Sequence, residues 1–224
     1  YGTLRASGYV YNGSQGLMVN HPGATMELQR GNNEGVFENN ATLAITGQDF
    51  ANDGSLNNAA TLNINTGGSL TLKNGTLDNS GTLEVQSGGT LLLQGESKES
   101  PPALTNNGTL SNRGTLRQNI CYVHNNSTFT NYGSYYLQDP WAFFISHYSQ
   151  TLANEGNLHL IAGGIRSNGD YAVQNNGSFQ YTRGFLMGSG NQPSPVNGAA
   201  PQDPNNSNAD WNLSKTYLTD VGYI

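Results

Sequence analysis

A motif close to Leu-x-Asn-x-Gly-Thr-Leu returns along the chain, and in each copy its asparagine falls two residues after an apolar residue. Successive copies start 19, 21, 27, 25, 23 and 21 residues apart. The asparagines are Asn39, Asn58, Asn79, Asn106, Asn131, Asn154 and Asn175. A period of about 20 residues predicts a repeat architecture, in which each unit buries its inner face only by stacking on its neighbours. The chain is therefore expected to be a solenoid with one copy per coil.

The best preserved copies indicate how one coil is built. Leu56, Leu62 and Leu70 map onto the next copy with a constant offset of 21 residues. Apolar residues alternate along each side, as in Leu83-x-Val85, which places them on the strand face that points into the tube. Gly-Gly, Asn-Gly and Ser-Gly pairs separate the sides, because glycine tolerates positive φ at a corner. We predict an all-β fold, a parallel β-helix (β-solenoid) of about eight coils of roughly 19–27 residues, with three short sides per coil.

The asparagine column favours a structural role. A residue two positions after an inward apolar residue also faces inward, so the seven amides are expected to stack at one corner of the tube. Buried amides must be hydrogen-bonded, and stacked amides can satisfy one another from coil to coil. We predict a structural asparagine ladder; the alternative is a set of turn asparagines that face outward.

Composition and charge narrow the partners and the location. Only 11% of residues are charged, and the nine Lys and Arg are scattered singly in a chain of net charge −6. This lacks the basic patch of a nucleic-acid partner. The single Cys121 cannot form an intrachain disulfide, and no run of 18 apolar residues could span a membrane. The chain opens at Tyr1 without Met, as a processed secreted protein does. We expect a secreted protein, extracellular or at the cell surface.

The residues that could carry catalysis or bind a metal form no recognisable pattern. Neighbouring coils place equivalent residues roughly 4.8 Å apart, so a carboxylate pair or a calcium site requires acids at matching positions of adjacent coils. No such pair is found. Asp139, Ser146 and His147 lie on one excursion without a nucleophile-elbow pattern, and the four histidines show no ligand spacing. We predict no catalytic residues, no metal and no cofactor.

Residues 132–148 contain seven aromatic rings, whereas the earlier coils have almost none. Phe143 and one tyrosine are expected to replace inward leucines, while other rings are exposed around the Asp139-Pro140-Trp141 turn. Exposed rings stack on sugars or pack against another protein. The candidate surface-binding residues are Tyr132, Tyr136, Trp141 and Tyr148, and both a surface glycan and a host protein stay open as partners.

The two ends of the chain raise the question of assembly. Terminal coils of a solenoid expose unpaired backbone groups, which are either capped or stacked on another molecule. We predict a β-solenoid with an N-terminal strand at 1–187, a Pro/Asn/Gly-rich linker at 188–209 and a C-terminal strand at 210–224. That last strand either caps its own coils or pairs with a neighbouring subunit. The candidate assembly residues are Trp211, Tyr217, Leu218, Val221, Tyr223 and Ile224.

One run carries a family resemblance. Residues 104–116 read Leu-Thr-Asn-Asn-Gly-Thr-Leu-Ser-Asn-Arg-Gly-Thr-Leu, and residues 77–83 read Leu-Asp-Asn-Ser-Gly-Thr-Leu. This resembles the β-helical repeats of bacterial surface adhesins, namely autotransporter passenger domains and filamentous-haemagglutinin-like exoproteins. The resemblance covers residues 37–116 well and 129–180 loosely, and such repeats also occur in phage tail spikes. It implies a right-handed β-helix in a secreted bacterial protein that adheres or self-associates.

The sequence therefore predicts an extracellular structural or adhesive module. Its partner is expected to be itself, as a homopolymer formed head to tail, or a surface to which it adheres. The alternative is a carbohydrate-binding or carbohydrate-degrading β-helix protein, including the phage tail-spike type. Filaments in negative-stain images would favour the first class, and a positive glycan array or reducing-sugar assay would favour the second.

Overall fold

The structure, a computed structural model, describes residues 2–147, 150–167, 172–182, 184–187 and 196–198. These residues contain no helix, and their strands wind into a parallel β-solenoid with three faces, called here faces A, B and C. Strands of neighbouring coils pair in parallel throughout. The predicted all-β solenoid of about eight coils, with three short sides per coil, is confirmed.

Face A is a nine-stranded sheet with one strand from each successive coil. Its strands are β2 (Leu17–Asn20), β4 (Val36–Asn39), β6 (Ser55–Asn58), β9 (Thr76–Asn79), β12 (Ala103–Asn106), β15 (Cys121–Asn125), β18 (Ala142–Ser146), β21 (Gly164–Ser167) and β24 (Phe185–Met187).

Faces B and C are joined into one 16-stranded sheet by three long strands that run across the corner between them. These are β1 (Thr3–Asn12), β3 (Thr25–Asn33) and β5 (Thr42–Asn52). The later strands of face B are β7 (Thr61–Ile64), β10 (Thr82–Val85), β13 (Thr109–Asn112), β16 (Thr128–Asn131), β19 (Leu152–Asn154), β22 (Val173–Asn175) and β25 (Val196–Gly198). The later strands of face C are β8 (Ser69–Leu72), β11 (Thr90–Leu93), β14 (Thr115–Gln118), β17 (Ser134–Leu137), β20 (Asn157–Leu160) and β23 (Ser178–Tyr181).

Alternation along each strand fills the tube. In β10 the side chains of Leu83 and Val85 are fully buried, whereas Thr82 and Glu84 face outward. The predicted register holds in this region, since Leu62 pairs with Leu83. Burying one inward leucine contributes about 1.5–3 kcal/mol, and the contribution repeats at every side of every coil. Stability is therefore distributed along the rod.

Glycines allow the backbones of neighbouring coils to approach at the corners. A Cβ added to Gly75 would lie 1.9 Å from the carbonyl oxygen of Gly54, and one added to Gly133 would lie 2.2 Å from that of Gly114. The same corners of successive coils thus stack glycine on glycine. At the wider corner after β10, Gly88 has a positive φ of 79°, which a residue with a Cβ rarely adopts.

The aromatic coil differs from the sequence prediction in its phase. Phe144 is the fully buried ring of β18, and Phe143 faces outward, opposite to what we expected. The reason is that β18 begins with an inward Ala142, which sets the alternation one residue later. Tyr135 of β17 is the inward tyrosine, and its hydroxyl donates to Oε1 of Gln118.

The ends also differ in detail from the predicted boundaries. The N-terminal strand predicted within 1–187 is β1 (Thr3–Asn12), which pairs with β3 as part of the stack. The segment 188–209, predicted as a linker, contains β25, which pairs in parallel with β22. The strand predicted at 210–224 lies outside the described residues.

Candidate functional surfaces

Buried asparagine amides form three columns, one at the strand ends of each face. The face A column contains Asn20, Asn39, Asn58, Asn79, Asn106 and Asn125. The face B column contains Asn112, Asn131, Asn154 and Asn175. The face C column contains Asn12, Asn33 and Asn52.

Inside a column, the amides bond to the coil that follows. Asn58 Nδ2 donates to Oδ1 of Asn79 at 2.7 Å and to the carbonyl of Thr82 at 2.9 Å. Asn131 repeats this arrangement on face B, donating to Oδ1 of Asn154 at 2.7 Å and to the carbonyl of Asn157 at 3.1 Å. The second acceptor lies on the next face, so each amide ties two coils together across a corner. These bonds satisfy amides that would otherwise be buried unpaired.

The columns also explain the length of the corners. From Asn33 onward each column asparagine is followed by two corner residues before the next strand begins, as from Asn79 to Thr82. Where a strand ends at an inward aliphatic residue, three or more residues come before the next strand, as the four between Val85 and Thr90 do. At these corners the amide replaces backbone hydrogen bonds that a longer turn makes for itself, so from Asn33 onward an inward asparagine marks a tight corner.

The single ladder predicted from the sequence is in fact two columns. Asn39, Asn58, Asn79 and Asn106 lie on face A, whereas Asn131, Asn154 and Asn175 lie on face B. The prediction was wrong at the coil that contains both Asn106 and Asn112. In register, Asn106 pairs with Asn125 and Asn112 pairs with Asn131. This coil has tight corners after both asparagines, so the motif occurs twice in it, and the sequence alone does not show which copy continues the column.

All three columns have an end inside the protein, and at two of these ends a buried amide atom lacks a partner among the described residues. Asn112 begins the face B column, because Val85 occupies the same position in the preceding coil. The buried Oδ1 of Asn112 has no hydrogen-bond partner among the described residues. Asn125 ends the face A column, because Ser146 occupies the same position in the following coil. The buried Nδ2 of Asn125 also has no hydrogen-bond partner among the described residues. The unpaired atom is an oxygen at the start and a nitrogen at the end, as expected if all amides point the same way along the axis.

The first coil is open in the described structure. Strand β1 pairs only with β3, and β2 pairs only with β4. Leu4, Tyr9, Tyr11 and Leu17 of this coil are 53–65% exposed. A depression beside β1 and β2 is lined in part by Leu4, Val19, Ala24 and Met26. Apolar side chains and unpaired strand edges therefore occur together at this end of the rod.

The predicted aromatic binding residues are divided between two corners. Tyr132, which is 48% exposed, lies between faces B and C, and the guanidinium of Arg113 lies 4.5 Å from its ring centroid. Trp141, which is 42% exposed, lies before face A, with Nζ of Lys98 at 5.6 Å from its ring. Tyr148 lies outside the described residues. Tyr132 and Trp141 thus lie at different corners of the solenoid.

Tyr136 is held in a stack on the outer surface of face C. Its ring lies 4.9 Å from the guanidinium carbon of Arg117 in the preceding coil and 4.6 Å from the ring of His159 in the following coil. Both ring faces are therefore covered, which leaves its edge for a ligand. Burial lowers the pKa of His159, although a hydrogen bond with Gln180 acts in the opposite direction.

The three residues considered for nucleophilic catalysis have separate partners. The buried Ser146 hydroxyl donates to the carbonyl of Gln150. Oδ1 of Asp139 accepts from the backbone N–H of Trp141 at 2.9 Å. The imidazole of His147 instead contacts His124, with Nδ1 of His124 at 3.1 Å from Nε2 of His147.

The histidine pair is a feature that the sequence analysis missed. The two residues are 23 positions apart, and they meet because β15 and β18 are neighbouring strands of face A. Burial, followed by the proximity of His147, lowers the pKa of His124. Across the described ranges, no three His, Cys, Asp or Glu side chains are grouped so that they could hold a metal ion.

The predicted assembly residues and Cys121 do not add to these surfaces. The predicted assembly residues lie outside the described part of the chain: Trp211, Tyr217, Leu218, Val221, Tyr223 and Ile224. Cys121 is fully buried, and burial raises the pKa of its thiol to about 12. Among the residues that the structure describes, no helix is long and apolar enough to cross a membrane.

Comparison with known proteins found no family model, no curated protein and no solved structure that matches this chain. What the molecule does must therefore be inferred from its own geometry.

Proposed function

We propose that this chain is an extracellular structural or adhesive module of a bacterial surface that self-associates head to tail through the end coils of its solenoid. The open first coil carries this proposal. Among the residues that the structure describes, its backbone edge is unpaired on one side, and Leu4, Tyr9 and Leu17 expose apolar surface beside that edge. An edge of this kind is a template for a further strand. The occupant with matching parallel strands is another coil of the same solenoid.

The direction of the amide columns selects the orientation of the partner. Within a column, the amide oxygen accepts from the preceding coil and the amide nitrogen donates to the following one. In the first coil the oxygens of Asn12 and Asn20 therefore face the open end. A partner that continues the stack head to tail must bring donors to these oxygens. Such a contact is heterologous and does not close, so its product is an open filament.

The test is negative-stain imaging combined with light scattering of the full chain. We expect filaments that disappear in Leu17→Lys, because a charge on the edge strand opposes strand addition. Val36→Lys is the matched control, since Val36 occupies the same register position one coil later and is not at the end. Deleting residues 210–224 separately asks whether the predicted C-terminal strand takes part. A protein that stays monomeric at high concentration, or equal filaments from both lysine variants, would refute the proposal.

A second candidate function is carbohydrate binding, favoured by the exposed ring of Trp141 beside Lys98. An indole face next to a cation suits an acidic or hydroxyl-rich glycan. A glycan array compares the parent chain with Trp141→Ala. Signals lost in Trp141→Ala would support this function, and an array without signals would contradict it. A reducing-sugar assay on the same glycans tests for degradation.

A further inference from the structure

Two histidines from neighbouring coils meet on the outer surface of face A. His124 lies on β15, and His147 directly follows β18. Nδ1 of His124 is 3.1 Å from Nε2 of His147, and the ring centroids are 5.4 Å apart with an interplanar angle of 29°. Both side chains are half-buried, so solvent reaches them while the surrounding strands restrict their movement.

The neighbours of the pair hold the rings in place. Thr105 and Ile145 occupy the positions in register with His124 on the two adjacent strands. The ring of Tyr122 meets His124 edge to face, with centroids 6.1 Å apart. The approach of the two nitrogens thus rests on strand pairing, which fixes the distance between the coils.

The separation of the nitrogens suits chelation of a metal ion. Neutral imidazole nitrogens are preferred ligands of copper, nickel and zinc. At metal–nitrogen distances of about 2.0–2.1 Å, two nitrogens 3.1 Å apart subtend an angle of about 95–100° at the metal. This angle lies between those of tetragonal copper and tetrahedral zinc sites.

We infer that His124 and His147 form a two-histidine site for a late transition-metal ion, Cu²⁺ or Zn²⁺, with water completing its coordination. In the neutral pair one ring donates its N–H to the other. To bind a metal, the donating ring changes tautomer, so that its proton moves to the nitrogen that faces away from the pair. Both facing nitrogens then offer a lone pair, and the pair loses no proton. With two protein ligands, affinity is expected in the micromolar range, weaker than at a closed zinc site.

Isothermal titration of the full chain with copper or zinc salts, in a buffer that does not chelate metals, tests the site. We expect one saturable site per chain, with copper bound more tightly than zinc. His124→Ala and His147→Ala should each weaken binding at least tenfold. His159→Ala is the matched control and should bind as the parent does, because His159 stacks on Tyr136 of face C and not on another histidine.

Circular dichroism of each variant establishes that the coils are intact. His147 follows its strand, so His147→Ala decides the question even if His124→Ala does not fold. Titrations without saturation, or a loss in His159→Ala as large as in His147→Ala, would overturn the site. Leu17→Lys should retain metal binding, which keeps this result separate from that of the filament.

Discussion

Replacing Asn79 by Ala removes a central member of the face A column. Asn79 accepts from Asn58 at 2.7 Å and donates to Oδ1 of Asn106 at 2.8 Å and to the carbonyl of Thr109 at 3.0 Å. The Asn58 amide keeps a second acceptor in Thr82, whereas Oδ1 of Asn106 loses its donor. A buried polar atom left without a partner costs about 1–3 kcal/mol, and an ordinary hydrogen bond contributes about 1 kcal/mol net. We therefore expect Asn79→Ala to destabilise the protein by about 2–3 kcal/mol.

Two controls separate the column from a general effect of losing an amide. Asn63 faces outward on β7, in register with Ala44 and Glu84, so Asn63→Ala should change stability by less than about 0.5 kcal/mol. Asn112→Ala should cost about 1 kcal/mol less than Asn79→Ala, because it also removes an oxygen that already lacks a partner. Urea titrations followed by circular dichroism measure all three. Equal midpoints for Asn79→Ala and Asn63→Ala would show that the hydrogen bonds of the column do not stabilise the fold.

Two further predictions concern the corners and the outer stack. Gly133→Ala should destabilise the coils, because the added Cβ would lie 2.2 Å from a backbone oxygen. Gly8→Ala is the control and should be tolerated, since nothing lies within 4 Å of its Cβ position. Thermal unfolding that is unchanged in both variants would contradict the close approach. Burial lowers the pKa of His159 from its ordinary value of 6.5. Below pH 6.5 the unfolded chain therefore binds more protons at this residue than the folded chain does. The free energy of unfolding then falls as the pH is lowered through this range. His159→Gln should lose less stability than the parent between about pH 7.5 and about pH 5.5, because it lacks the imidazole whose charged form burial disfavours. Identical losses in thermal scans would refute this contribution.

The fold could be predicted because each coil repeats a pattern with a short-range physical cause. Alternation in strands such as Leu83 to Val85 fixes which side chains face inward, and an offset shared by three sides fixes the pairing of neighbouring coils. The pattern fails where the spacing is ambiguous. After Asn106 a second copy of the motif follows within six residues at Asn112, so local sequence is compatible with either corner. Only the packing of the whole coil resolves this.

The surface features were harder to predict because they depend on register between distant residues. The contact between His124 and His147 depends on the lengths of all the corners between them. The stack that covers Tyr136 likewise requires that Arg117 and His159 occupy the same outward position in adjacent coils. An error of one corner moves such a residue to another face.

The uneven distribution of the amide columns has a mechanical consequence for a rod pulled along its axis. Two bonds between column amides cross each of the first two coil junctions, from Asn12 and Asn20 and then from Asn33 and Asn39. One bond between column amides crosses each junction beside β9 and each of the two junctions from β16 to β22, whereas two cross the junction between β12 and β15. Tension should therefore separate the rod at the singly bonded junctions first. The first coil, through which we propose that the protein meets another molecule, belongs to a segment whose coils should separate last under tension.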